Sequence, residues 1–306
     1  MKKSILFISF FLIVLLAGCS QIPKANHITV TPTAPESVDY LPVIAANIGQ
    51  PTTGMVYLEN PNTKERTPFI TVTDIYIEHY HNVEFHLGNL FIIRRFDQSN
   101  SSIDELWKYD AAGNGKKIYT GNNIDFRVAP DGNTIAINDS DHLLILDTSA
   151  NLFASFTLDE LSSGNPKTNT ASIGMEGWSK DSSQFWGNLF MAIDVRAFFR
   201  VIVSTKQSQT YDIMNFPFSR HDYDLNYDTA QIVFSDYPMF LDADNAKKFE
   251  TSGKIVSLYL LDLPGKKIQT ISTTIAKPFN PSWIDDNNFQ YDNPGGDGTR
   301  INFALK

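Results

Sequence analysis

Phe126-Arg127-Val128-Ala129-Pro130-Asp131-Gly132-Asn133-Thr134-Ile135-Ala136-Ile137 decides how this chain is read. Two apolar, β-branched or aromatic runs flank a four-residue turn. Pro130 presets φ for the first turn position, Asp131 can bond its own backbone, and Gly132 supplies the residue with φ > 0 that lets the returning strand pair. The stretch is a tight β-hairpin.

Weaker copies follow at intervals of roughly 50 residues. They are Gly177-Trp178-Ser179-Lys180-Asp181-Ser182-Ser183-Gln184-Phe185-Trp186, then Tyr223-Asp224-Leu225-Asn226-Tyr227-Asp228 before Gln231 to Phe234, then Pro281-Ser282-Trp283-Ile284-Asp285-Asp286-Asn287-Asn288-Phe289. Upstream, Val83 to Ile93 forms a hairpin turning at Gly88-Asn89, which makes five copies. Asp131, Gly132, Asp181, Asp228 and Asp285 are therefore structural turn formers, and Ser182 stands where glycine would ease the turn. After each hairpin an apolar strand closes on Asp, as at Tyr109-Asp110, Leu146-Asp147 and Leu261-Asp262, before a polar turn and a fourth strand. Such a sheet hides its faces only when neighbours stack on it, so the expectation is an all-β fold, a β-propeller of four-stranded blades. Five blades are expected first and six second, with a strand from the Met55 to Tyr76 region completing the unit begun at Pro281.

Composition limits the function. With 306 residues, 42% of them hydrophobic, the chain can bury a sizeable core. A formal charge of −9 argues against a nucleic-acid partner. The single cysteine, Cys19, rules out an intrachain disulfide and a cysteine-based zinc cluster. No phosphate-binding glycine loop and no Gly-X-Ser-X-Gly elbow is present, so neither a cofactor nor a catalytic residue is assigned.

The N-terminus reads as an export signal. Lys2 and Lys3 precede an apolar run, Ile5 to Leu16, that is too short and too early for an ordinary spanning helix, and Leu16-Ala17-Gly18-Cys19 follows. This resembles the lipobox of bacterial lipoproteins. The resemblance implies that residues 1–18 are removed and that Cys19 becomes an acylated first residue. Two acyl chains at ~0.8 kcal/mol per buried CH₂ anchor a protein stably on a membrane without crossing it. Seven of the fifteen prolines fall between Pro23 and Pro68, so residues 19–54 read as the anchored cysteine and an extended tether, with Tyr40 to Ile44 able to dock as a short strand. Residues 55–306 are assigned to the propeller.

Ala129-Pro130-Asp131-Gly132 with Ile135-Ala136, and the Trp178 and Trp283 variants, also resemble the repeat of TolB-like and WD-repeat-like β-propellers. That resemblance implies protein–protein contact in the cell envelope and no catalytic residue. Several features compete with it. His79 and His81 share a strand face, with His86 close behind, which suits either a metal site or an exposed polar face. Asp242-Ala243-Asp244-Asn245 lacks the glycine of a calcium loop and fits a short helix or a charged loop better. Tyr237-Pro238-Met239-Phe240-Leu241 lies in an insertion outside the repeat and is the expected exposed contact surface, with Tyr237, Met239 and Phe240 as partner-binding residues. The reading favours a lipid-anchored binding or scaffold module for an envelope protein or peptide. A propeller enzyme acting on a saccharide or lactone, which needs acids or histidines converging on the channel, and a small-ligand sensor are the alternatives.

Overall fold

The computed structural model describes residues 40–45, 52–75, 83–98, 101–140, 142–163, 172–192, 194–238, 243–296 and 298–305. All of them belong to one compact unit, Val38–Lys306. Cys19, His79, His81, Met239 and Phe240 lie outside the described residues.

Six antiparallel sheets succeed one another, each a meander in which every strand pairs with the one before it. Blade 1 is β1 (Leu41–Ala45), β2 (Thr52–Glu59) and β3 (Arg66–Ile75). Blade 2 is β4 (Val83–His86), β5 (Asn89–Gln98), β6 (Ser101–Tyr109) and β7 (Gly115–Gly121). Blade 3 is β8 (Ile124–Val128), β9 (Thr134–Asp139), β10 (His142–Asp147) and β11 (Leu152–Thr157), followed by the short helix α1 (Leu158–Leu161). Blade 4 is β12 (Ser172–Trp178), β13 (Gln184–Met191), β14 (Asp194–Ile202) and β15 (Gln207–Asp212). Blade 5 is β16 (Tyr223–Asn226), β17 (Gln231–Ser235), β18 (Ile255–Asp262) and β19 (Lys267–Ile275), with α2 (Ala243–Glu250) inserted before its third strand. Blade 6 is β20 (Ser282–Trp283), β21 (Asn288–Asp292) and β22 (Arg300–Ala304). The fold is a β-propeller.

Period-2 alternation builds the core between blades. On β13, Phe185 points into the cluster shared by blades 3 and 4 while its neighbour Trp186 points into the one shared by blades 4 and 5, and both are fully buried. Burying a ring of that size contributes roughly 1.5–3 kcal/mol, so a strand apolar on both faces joins three blades at once. Equivalent clusters fill the intervals between blades 1 and 2, 2 and 3, and 5 and 6.

The six sheets match the second of the two blade counts expected, because β1 to β3 make a sheet of their own. One expectation needs correction. For the same reason no N-terminal strand completes the last blade: among the described residues β22 pairs only with β21, and blades 1 and 6 hold three strands each. Leu41–Ala45 pairs in register with Met55–Glu59, so the short strand allowed near Tyr40 to Ile44 joins blade 1.

Local turn chemistry accounts for the hairpins. Asp131 Oδ1 accepts the amides of Asn133 and Thr134 at 2.8 and 3.0 Å, and Gly132 sits at φ 66°. In blade 4 the corresponding left-handed position is held by Ser182 at φ 62°, and in blade 5 Ala230, one residue before its returning strand, sits at φ 58°. Those copies carry backbone strain that glycine would relieve. At α1, Thr157 and Glu160 form a reciprocal capping box.

Candidate functional site

The first strands define the axis: β1 neighbours β4, β4 neighbours β8, β8 neighbours β12, and β16 neighbours β20. Their polar side chains converge there. Glu84 accepts from the Val128 amide at 2.8 Å and stands 3.1 Å from His86 Nε2 and 3.8 Å from Arg127 Nη1. The Tyr223 hydroxyl donates to Glu176 Oε1 at 2.6 Å, and Asn188 Nδ2 donates to the same oxygen. Asp224 accepts from the Trp283 amide at 2.7 Å. Burial pushes the Asp224 carboxyl above its ordinary value against the pull of that amide, and the Glu176 carboxylate adds to the rise. Burial, then Glu176 and Asp224, raise the Tyr227 phenol strongly.

Most of these groups, and others further out, fasten one blade to the next. Asp104 accepts from Ile124 N at 3.0 Å, and Asp222 accepts from Phe279 N and Asn280 N at 2.8 and 2.6 Å. Three indoles do the same with carbonyls: Trp178 to Arg127 O at 3.0 Å, Trp186 to Tyr227 O at 2.8 Å and Trp283 to Asp224 O at 3.1 Å. Each bond satisfies a buried backbone group that would otherwise cost free energy, so the polar seams hold register between blades.

A cleft of about 490 Å³ opens between blades 4 and 5, at the end of the propeller where α2 is inserted. Val195, Ile213, Phe216 and Phe218 supply apolar wall, and Arg196 and Arg220 supply cationic groups. Arg220 lies over the Phe190 ring at 4.4 Å and donates to Ala192 O at 3.3 Å. Arg196 is placed differently. Its Nη1 faces Met214 Sδ at 3.8 Å, its Nη2 is 3.6 Å from the exposed Asp194 carboxylate, and its buried Nε has no hydrogen-bond partner among the described residues. On the outer strands of blade 5, Ile255 and Ile275 pair across β18 and β19 at 70% and 62% exposure.

The residues singled out in the sequence are scattered. Asp131, Asp181 and Asp285 each accept bonds within their own turns. Asp228 does not: Asn226 Oδ1 accepts the amides of Asp228 and Thr229, and Asp228 instead takes the Lys180 amide at 3.0 Å. Asn226, two residues earlier, reaches the turn amides first. Lys180 Nζ also reaches Asp286 at 2.6 Å, tying the turns of blades 4, 5 and 6. Tyr237 is not the exposed ring expected, because α2 folds back and sets Phe249 edge-on against it at 5.5 Å. His86, the described member of the histidine group, pairs with Glu84, and no set of three His, Cys, Asp or Glu side chains placed to hold a metal occurs among the described residues. Asp244 and Asn245 lie in α2, which decides between the two expected alternatives for the short helix over the charged loop.

Sequence reasoning missed Arg196, Glu176 and Asp224. A signal existed for the first: Asp194-Val195-Arg196-Ala197-Phe198-Phe199 sets charges at alternate positions in an otherwise apolar strand.

No family model and no curated protein matches the sequence. Among solved structures the chain is similar to TolB from Acinetobacter baumannii, at 11% identity and a TM-score of 0.43 over 76% of this chain and 51% of that one. It is similar to the β-propeller domain of the Trilobed protease from Pyrococcus furiosus, at 14% identity and a TM-score of 0.46 over 88% and 82%. An oligogalacturonate lyase in complex with manganese aligns at 15% identity and a TM-score of 0.49 over 88% and 74%. The chain spans about half the length of the TolB structure.

Proposed function

We propose that this protein is a bacterial envelope lipoprotein, anchored through acylated Cys19, whose propeller binds a protein or peptide partner on the α2 end of blade 5. The observation that carries the reading is the Ile255–Ile275 pair, two isoleucines left largely in water beside the insertion. Apolar surface paired in this way suits a partner better than solvent. Anchoring rests on the lipobox residues, and no helix among the described residues is long and apolar enough to cross a membrane. The test is in-cell crosslinking and capture with the full chain. A specific partner should be lost in the Ile255→Ser/Ile275→Ser variant, and Met239→Ser/Phe240→Ser reports whether the neighbouring segment shares the contact. Cys19→Ala should leave the membrane fraction. Capture unchanged by the isoleucine pair would move the partner elsewhere, and a membrane-bound Cys19→Ala would remove the anchor.

A second reading, an enzyme or small-ligand sensor working at the axis, draws on the convergence of Glu84, Arg127, Glu176, Asp224 and Tyr227 from four blades. Saccharides or divalent metals that raise the melting temperature of the protein, but not of Glu176→Gln, would favour it.

A further inference from the structure

Arg196 is the polar side chain whose surroundings explain it least. A guanidinium carries five donors in a planar fork. Among the described residues this one has only the Met214 sulfur, a weak acceptor, at 3.8 Å, and the Asp194 carboxylate at 3.6 Å, where Asp194 is itself 67% exposed. The contrast with Arg200 on the same strand is direct, for that fork bonds Gln209 Oε1 at 2.7 and 3.1 Å and Gln184 Oε1 at 3.3 Å. Arg196 is thus held in place beside a cavity with its Nη groups short of oxygen acceptors.

The cavity walls say what the acceptor carries. Val195 and Ile213 are buried floor, Phe216 and Phe218 stand on the side of the blade 4–5 connection, and Pro238 closes the rim. At about 490 Å³ the space falls in the range of small-ligand sites and admits a body of one or two residues. Charge then sets the head group. Arg196 and Arg220 face Asp194 and Asp236, of which Asp236 is already committed to the Ser257 amide at 2.7 Å and the Tyr259 hydroxyl at 3.3 Å. Two cations against two carboxylates leave no net positive charge, which disfavours a dianion such as phosphate more than a monoanion. A flat monoanion matches the guanidinium edge.

We propose that the cleft between blades 4 and 5 binds a carboxylate carried on a small apolar body, with Arg196 receiving the carboxylate and Arg220 flanking it. The ligand is a free aromatic or aliphatic carboxylic acid or the C-terminal residue of a peptide, which share this chemistry. The proposal rests on reading this end of the propeller as a binding face, and adds the ligand class.

The test is calorimetric titration of the full chain with N-acetyl-phenylalanine and with its amide, which differ only in the charged group. The acid should bind at least about tenfold more tightly than the amide, the worth of one charge-assisted contact. Arg196→Gln should erase that difference with the unfolding midpoint retained, and Arg220→Gln, which leaves the β14 wall untouched, should reduce it if the first variant fails to fold. Inorganic phosphate should not compete. N-acetyl-alanyl-phenylalanine binding more tightly than N-acetyl-phenylalanine identifies a peptide terminus, and equal affinity identifies a free acid. Equal binding of acid and amide, no binding of either, or a preference that survives in both arginine variants overturns the proposal. Partner capture that persists alongside such a failure rejects the carboxylate chemistry alone, whereas binding of the acid with no captured partner rejects the partner reading alone.

Discussion

Asp222, at the junction of blades 5 and 6, and Arg196, beside the cleft of blades 4 and 5, are both ionisable side chains set into seams of the same propeller. Asp222 is 1% exposed, and its two oxygens take the Phe279 amide at 2.8 Å, the Asn280 amide at 2.6 Å and the Ser235 hydroxyl. Arg196 lines an open cavity and finds no oxygen within hydrogen-bonding distance among the described residues. Arg196 is also the less buried of the two, with 29% of its side chain exposed, yet exposure alone does not say whether a polar group is structural or functional. Satisfaction does: the fold completes the bonds of groups that hold blades in register, and a group it positions without completing is available to something from outside.

The comparison is broken most easily at its first member. Asp222→Ala orphans two backbone donors and a hydroxyl in a buried seam, so it should lower stability by about 3 kcal/mol or more in urea unfolding. A loss under about 1 kcal/mol would mean that water replaces the carboxylate and that the seams are not fastened by it. Asn226 should come next. Its Oδ1 accepts the amides of Asp228 and Thr229 at 3.0 and 3.1 Å, and it is 5% exposed. Asn226→Ala should cost about 1–2 kcal/mol and Asp228→Ala clearly less, since the partner of Asp228 is the exposed Lys180. The reverse order would restore the turn to Asp228.

The acid limb of the stability curve gives a smaller effect with a definite sign. The Ser179 and Ser183 hydroxyls and the Ser183 amide hold the Asp181 carboxyl down to about 2. A carboxyl depressed in the folded state contributes stability above its unfolded value near 4, and that contribution is lost as pH falls from about 4 toward about 2. In melting curves taken between about pH 5 and about pH 2, Asp181→Asn should decline less steeply than the natural protein. Parallel declines would show that the turn draws nothing from the charge.

These contrasts also mark how far the sequence could be read. Ala129-Pro130-Asp131-Gly132 announces its hairpin because every participant lies within six residues, and Thr157-Leu158-Asp159-Glu160 announces its cap for the same reason. The choice between five blades and six, and the state of the last one, are not legible in the sequence, because strand partners are chosen by register across the sheet and β1 to β3 carry no copy of the Asp turn. Asn226 and Asp228 are both residues that close turns, and only geometry tells which one reaches the amides. The cleft is less legible still. Arg196 comes from β14, Phe218 and Arg220 from the connection to blade 5, and Asp236 from beyond β17, so the site exists only once two blades have stacked.

The least costly substitution is the one that should say most. Arg196→Met keeps the length and apolar stem of the side chain, lies against Met214 and Ile213, and removes a guanidinium that the fold leaves short of acceptors. Its unfolding free energy should therefore stay within about 0.5 kcal/mol of the natural protein, or rise, since no oxygen acceptor loses its donor. A loss of 2 kcal/mol or more, roughly what a broken buried network costs, would place Arg196 beside Asp222 as a fastener whose partners the cleft supplies. A neutral result sets the two side chains apart by the measure that matters for function, because a charge that adds nothing to stability is left available to a ligand.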